Sequence, residues 1–208
     1  MLERNSLTEL TNIGLNRAAT QLSSLLNDTI SIGVPKVEIV PVEEVLAALA
    51  MPGEEDVACV WQRLNGQVDG TAMLVFHLDG TRKLVNALIG SVPILAGVDL
   101  RAYEHEAMTE IGNIIISSGI SVFSDLIRGE IELSVPTYGE HRLGDLIAAQ
   151  AGSHEPRDLS VIIILAQLRA SQQNVSGCLV LLLSVRSVAS LMQGLKAEMQ
   201  RSLDASVA

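Results

Sequence analysis

The chain contains two copies of a motif in which a glutamate precedes an asparagine by three residues. The first copy is Glu9 with Asn12, and the second is Glu110 with Asn113. An asparagine amide accepts and donates hydrogen bonds in a fixed geometry, so it can orient a water molecule for attack. A carboxylate can hold a cation such as a lysine ammonium group. The pair therefore suits a hydrolysis in which a partner protein supplies the electrophile.

The motif belongs to a longer internal repeat. A proline follows each asparagine by 23 residues, Pro35 in the first copy and Pro136 in the second. Aligning residues 2–35 with residues 103–136 without a gap gives 10 identities in 34 positions. A repeat of this kind sets the architecture of a chain. We read both prolines as strand-boundary residues without a chemical role.

Each motif must lie on a helix for its two side chains to face the same way. At about 100° per residue, the polar residues of each helix form one narrow stripe. The stripes are Asn5, Glu9, Asn12 and Asn16 on the first helix, and Glu106, Glu110, Asn113 and Ser117 on the second. On the second helix the opposite, core-facing side holds Met108, Ile111, Ile115, Val122 and Leu126. The carboxylate and the carboxamide therefore point together toward solvent or a partner.

The other elements follow the same order in both halves. In the first half we predict a helix from a Ser6–Glu9 capping box to about 27, strands at 30–34 and 37–40, a short helix at 42–51, a hairpin of 57–64 and 67–78 around Asn65-Gly66, and a helix to 88. After a connection at 91–98, the second half is predicted as a helix from an Asp99 cap to about 128, a strand at 131–135, a polar segment at 138–156 with a helix at 145–151, strands at 161–168 and 175–183, a helix at 185–195, and a loose tail from 198.

These elements predict an α/β protein of the α+β type. We expect one domain, residues 1–208, built from repeats at about 1–98 and 99–208, because no long Gly, Ser or Pro linker separates the halves. Gly14 and Gly112 lower the helix propensity of the motif helices. Either close packing between the halves or contact with a partner would account for these glycines.

Composition excludes several classes of function. The net charge of −10 and only five aromatic residues argue against a nucleic-acid partner. The longest apolar runs, around 161–165 and 178–183, are too short to span a bilayer, and the first residues carry no apolar signal segment. Cys59 and Cys178 form no paired motif and read as core thiols, and the four histidines show no metal-ligand spacing. We predict a cytoplasmic protein without a membrane partner, metal or cofactor of its own.

The duplicated motif, with its proline 23 residues on, resembles the CheC family of response-regulator phosphatases, which includes CheC, CheX and FliY. Two intact motifs are typical of CheC, whereas CheX-type chains carry one. The resemblance implies a pseudo-twofold fold with a central, mainly antiparallel sheet and two long exposed motif helices. It covers essentially the whole chain.

The same resemblance implies a chemotaxis enzyme that hydrolyses the aspartyl-phosphate of a CheY-type response regulator. By analogy, Asn12 and Asn113 would position the hydrolytic water, and Glu9 and Glu110 would contact the regulator's active-site lysine. The Mg²⁺ would be supplied by the regulator. Some family members also bind CheD, a receptor deamidase, which is therefore a possible partner.

The sequence departs from the family pattern four positions before each glutamate. The family often has Ser or Asp there, and this chain has Asn5 and Glu106. A carboxylate at 106 adds negative charge beside Glu110, which motivates an alternative: a non-catalytic adaptor that binds the response regulator or CheD. Taken alone, Glu9 could also be only the capping partner of Ser6.

Overall fold

A computed structural model describes residues 2–26, 28–89, 100–152, 159–170 and 173–207. Its helices are α1 (Leu2–Leu26), α2 (Val45–Leu49, after a 3₁₀ turn at Val42–Glu44), α3 (Leu78–Ile89), α4 (Leu100–Ile127), α5 (Leu143–Ala151) and α6 (Val185–Val207). Its strands are β1 (Ile30–Pro41), β2 (Asp56–Gly66), β3 (Gly70–His77), β4 (Ile131–Leu133), β5 (Thr137–Arg142), β6 (Leu159–Ala170) and β7 (Gln173–Ser184). The predicted combination of long helices and an antiparallel sheet is confirmed.

The seven strands form one sheet in the order β1-β6-β7-β3-β2-β4, and β5 also pairs with β2. Every pairing between them is antiparallel. The described elements follow the same order in each half: long helix, edge strand, short helix, hairpin, helix. The predicted connection at 91–98 and the predicted cap at Asp99 lie outside the described residues.

Both faces of the sheet are covered, which explains the uninterrupted apolar runs of its central strands. On β6, Ile162 and Ile164 face a core shared with α1, α3, α4 and α6. The alternate residues Val161 and Ile163 face a second core, which contains residues of α2 and α5. Because successive side chains of a strand point to opposite faces, a strand buried on both sides loses its polar alternation.

The structure corrects several predicted boundaries. The strands expected at 30–34 and 37–40 are one strand, β1, with a register shift between Gly33 and Lys36. The hairpin connection is longer than the predicted two-residue turn: Leu64 pairs with Gly70, so residues 65–69 join the strands, and Asn65 and Gly66 also pair with Glu132 and Ile131 of β4. The segment 138–156 contains a strand, β5, whose polar residues fit a sheet edge.

The two chain ends are also more helical than predicted. The tail from 198, expected to be loose, continues α6 to Val207. Met199 packs against the core from this segment, and Gln200 donates a hydrogen bond to Asp204 one turn later. At the other end α1 is already helical at Leu2, so Ser6 lies inside the helix and does not cap it.

Gly14 and Gly112 are sites of close packing between the halves. A Cβ atom at Gly14 would lie 2.4 Å from Val122 Cγ2 and 2.7 Å from the Ser118 carbonyl oxygen, both on α4. A Cβ atom at Gly112 would lie 2.4 to 2.6 Å from three side-chain atoms of Val60 on β2. The absence of a side chain therefore lets α1 approach α4 and lets α4 approach the sheet.

Among the described helices, α4 is the one with the length and composition to cross a membrane, over residues Arg101–Ile127. More than half of its apolar window is buried inside the fold. The buried side is the one predicted from the sequence, formed by Met108, Ile111, Ile115, Val122 and Leu126. The apolar composition of α4 is therefore accounted for by the core.

Cys59 and Cys178 are expected to react slowly with iodoacetamide in the folded protein at pH 8. Burial raises the pKa of Cys178 to about 11 and raises the pKa of the fully buried Cys59 thiol further above its usual value. Because the thiolate is the nucleophile, a raised pKa lowers the reactive fraction. Mass spectrometry over time should show Cys178 alkylated before Cys59, and both alkylated quickly in urea. Rapid native labelling of Cys59 would contradict the burial described.

Candidate functional site

The two motifs lie on the outer faces of α1 and α4. Glu9 and Glu110 are exposed, and Asn12 and Asn113 are half-buried one turn further along each helix. The apolar sides of both helices anchor them in the core on one face of the sheet. Each carboxylate and its carboxamide are therefore presented on the same side of a helix that packing holds in place.

A β-bulge in the edge strand lies beside the first motif. Gly33 pairs with Gln167 and Lys36 pairs with Leu165, so Val34 and Pro35 together oppose one residue of β6. The backbone N–H of Val34 donates a hydrogen bond of 3.0 Å to Oδ1 of Asn12. The first asparagine thus satisfies a backbone donor that the bulge removes from the ladder.

The second half also has an extra residue at the corresponding place in its edge strands. Leu133 of β4 pairs with Leu64, and Thr137 of β5 pairs with Trp61, so residues 134–136 oppose two residues of β2. Pro136 lies in this segment, as Pro35 lies in the first bulge. Proline has no N–H to donate, so bulges and edges are where sheets tolerate it. The fixed distance from asparagine to proline therefore reflects a helix packed beside a bulged edge strand.

The second asparagine has a different partner. Nε2 of Gln62, on β2, donates to Oδ1 of Asn113 at 3.3 Å and to the carbonyl oxygen of Ser134 at 2.7 Å. Gln62 was not among the residues singled out from the sequence. The sequence nevertheless indicates it, because Gln62 is a polar residue at the strand position between the core-facing Val60 and Leu64, on the same face of the strand.

The structure removes the capping explanation for Glu9. Ser6 is helical, and α1 begins at least four residues before it, so Glu9 does not occupy the third position of the helix. Glu110 is ten residues into α4. Neither glutamate is therefore required to begin its helix. The positions where the sequence departs from the family pattern, Asn5 and Glu106, are both exposed.

A tyrosine adjoins the N-terminal part of α4. The Tyr138 hydroxyl donates to Glu104 Oε1 at 3.1 Å, and its ring meets His105 edge to face. Burial and the neighbouring Glu104 carboxylate raise the pKa of Tyr138 above its usual value. Tyr138 therefore stays protonated at physiological pH and ties β5 to the helix that carries the second motif.

No group of three His, Cys, Asp or Glu side chains in the described ranges is placed to hold a metal ion. His77 contacts Glu55, and His141 lies edge to face with Trp61. His154 lies outside the described residues.

Comparison with known proteins adds a family to this geometry. A sequence model of the CheC-like family matches residues 2–39, which contain α1, the first motif and most of β1 with its bulge. The CheY-P phosphatase CheC of Bacillus subtilis is 26% identical over 157 residues, which cover 71% of this chain and 74% of the relative. These similarities support the CheC, CheX and FliY family for this chain.

Two further proteins extend the comparison. The putative CheY-P phosphatase CheC1 of Halobacterium salinarum is 24% identical over 82% of this chain and 84% of its own length. The crystal structure of FliY from Thermotoga maritima superposes with a TM-score of 0.72 at 19% identity, covering 94% of this chain and 96% of FliY. The CheC relatives carry the name of a CheY-P phosphatase, and the FliY structure shares the fold.

Proposed function

We propose that this CheC-family chain is a phosphatase that hydrolyses the aspartyl-phosphate of a CheY-type response regulator. The observation that carries the proposal is the pair of asparagines, each half-buried on an exposed helix face with its Oδ1 hydrogen-bonded within the protein. Among the described residues, neither asparagine has a protein partner for Nδ2. The amide of each is thus fixed at one end and available to a water at the other.

In this reaction Asn12 or Asn113 holds a water in line with the phosphorus atom. The water oxygen bonds to phosphorus as the bond from phosphorus to the aspartyl oxygen breaks. The amide nitrogen and the second lone pair of Oδ1 remain for the water, and the positioning of a nucleophile of this kind lowers the barrier without a base. The Mg²⁺ would come with the regulator.

Glu9 and Glu110 are proposed to contact the active-site lysine of the regulator. Both carboxylates are exposed and lie one turn before their asparagines, on the side that a docked partner would meet. A charge-assisted hydrogen bond to a lysine would fix the regulator relative to the water.

The two halves, residues 1–98 and 99–208, are proposed to be repeats of one unit, each with its own site. The matched element order and the two bulges support this division. A cytoplasmic location and CheD as a further partner belong to the same proposal, on the family resemblance.

A regulator-binding or CheD-binding adaptor with little catalysis is the second candidate. Glu106 is exposed one turn before Glu110, so this face of α4 carries two neighbouring carboxylates. Like charges four residues apart on a helix repel one another. This arrangement would favour binding a cationic surface and would make the docking geometry at the second motif differ from that at the first.

The test is the decay of a phosphorylated CheY-type regulator in the presence of Mg²⁺, with and without this protein. We expect phosphate release to accelerate in proportion to the amount of protein added. Tight regulator binding in a pull-down without faster release would support the adaptor instead, and CheD would then be the partner to test. If the protein neither bound the regulator nor accelerated phosphate release, both candidate functions would be rejected for that regulator.

A further inference from the structure

Gln62 is a buried polar residue to which the proposed reaction assigns no role. Its side chain is 2% exposed and lies on β2 beneath the second motif. Nε2 donates to both Asn113 Oδ1 and the Ser134 carbonyl oxygen. The other end of the amide, Oε1, is buried and has no hydrogen-bond partner among the described residues.

The other half of the chain has no glutamine at the corresponding place. The residue of β6 that corresponds to Gln62 is Ala166. Leu168 and Leu64 pair with Ile32 and Leu133, which each precede the proline of their bulge by three residues, and Ala166 and Gln62 each lie two residues before these leucines. A buried amide oxygen without a partner is unfavourable compared with a small apolar side chain. Gln62 thus carries an unpaired buried oxygen that Ala166 does not, while its amide nitrogen donates both to the Ser134 carbonyl and to Asn113.

The hydrogen bonds of Gln62 fix the orientation of Asn113. The Ser134 carbonyl can only accept, so it must face Nε2 of Gln62 rather than Oε1. The same Nε2 then requires an acceptor on Asn113, because two amide NH₂ groups would repel each other. Asn113 consequently keeps Oδ1 toward the sheet and Nδ2 away from it.

We propose that Gln62 is a positioning residue for Asn113, and that it serves the second site alone. In the first site the Val34 N–H does the same for Asn12 directly, without a side chain from the sheet. Because Gln62 belongs to the first half of the chain, the second site depends on both halves. The inference rests on the proposed phosphatase function.

The experiment uses Gln62→Met, which keeps the length of the side chain and removes its donor. The variant is combined separately with Asn12→Ala, which leaves the second site, and with Asn113→Ala, which leaves the first. We expect kcat for regulator dephosphorylation to fall about tenfold in the Asn12→Ala background, as for a lost hydrogen bond, with KM changed less than about twofold. In the Asn113→Ala background Gln62→Met should leave kcat as it was. Gln167→Met, an exposed replacement on β6, is the matched control.

Equal loss in both backgrounds would show a general structural effect and overturn the proposal, as would no loss in either. If Asn12→Ala with Asn113→Ala kept the wild-type rate, the phosphatase assignment itself would be wrong, whatever Gln62 does. NMR of the side-chain amides tests the hydrogen bond between Gln62 and Asn113 independently of enzyme activity. The Gln62 Nε2 protons should shift on Asn113→Ala and stay in place on Asn12→Ala, and the reverse result would overturn the proposal even if Gln62→Met did not fold.

Discussion

Replacing Asn12 and Asn113 together with alanine is expected to reduce regulator dephosphorylation by about 100-fold, the scale of effect that misplacement of a reacting group produces. Each asparagine is the group proposed to hold the attacking water. The single variants should each keep part of the rate, and the two parts need not be equal because the asparagines have different partners. The measurement is the release of phosphate from the phosphorylated regulator at saturating Mg²⁺.

Replacing both asparagines with aspartate separates a loss of catalysis from a loss of folding stability. Asn12→Ala leaves the Val34 N–H without its acceptor, which costs about 1 kcal/mol of stability. Asn12→Asp with Asn113→Asp keeps an acceptor in both places but adds negative charge near the phosphoryl group. We expect this variant to fold normally and still lose activity.

Asn16→Ala is the matched control for the asparagine variants. Asn16 is exposed on the same stripe of α1, one turn beyond Asn12, and should be replaceable without loss of rate. A wild-type rate for the double alanine variant, or an equal loss for Asn16→Ala, would contradict the roles given to Asn12 and Asn113.

Gly112→Ala is expected to destabilise the fold by about 2 kcal/mol. The new methyl group would lie 2.4 Å from Val60 Cγ1, 2.5 Å from Cβ and 2.6 Å from Cγ2, so no rotation of the valine relieves all three contacts. Overpacking of this kind costs about 3 kcal/mol, and the better helix propensity of alanine offsets about 1 kcal/mol of it. Thermal unfolding followed by circular dichroism should show the midpoint lowered by roughly 4–8 °C.

Gly33→Ala provides the comparison for this effect. Apart from Gly33 and its two chain neighbours, no atom of the described residues lies within 4 Å of the position that its Cβ would take, so the unfolding midpoint should stay close to that of the wild type. Equal stability of Gly112→Ala and the wild type would mean that α4 does not approach β2 as closely as described. Gly112 also precedes Asn113 directly, so the destabilised variant should lose activity at the second site first.

The elements with strong periodicity could be predicted from the sequence. The core side of α4 was read correctly from residues such as Met108 and Ile115, because an apolar stripe repeats with the period of a helix. The central strands β6 and β7 were recognisable as apolar runs. The two motif pairs were found by comparing the chain with itself, and the structure places each pair on one exposed helix face.

The errors arose where pairing between distant segments decides the structure. β5 was missed because residues 137–142 are polar, and only the ladder with β2 makes them a strand. Pro35 appeared to end a strand, yet the register shift lets β1 continue past it. Gln62 could be noticed as a polar residue in an apolar pattern, but its partner Asn113 is 51 residues away. Local sequence propensity carries no information about a contact between residues so far apart in the chain.

The two bulges also protect the sheet from uncontrolled growth. β1 ends the sheet on one side, and β4 and β5 flank β2 on the other, so these strands have the open edges. An unbroken edge in a sheet this apolar would invite strands of other molecules to pair with it and aggregate. Pro35 and Pro136 each remove a donor from an edge, the extra residues break its regular spacing, and Lys36 adds an exposed charge beside the first break. The segments that lie beside the asparagines would thus also keep the protein from edge-to-edge association.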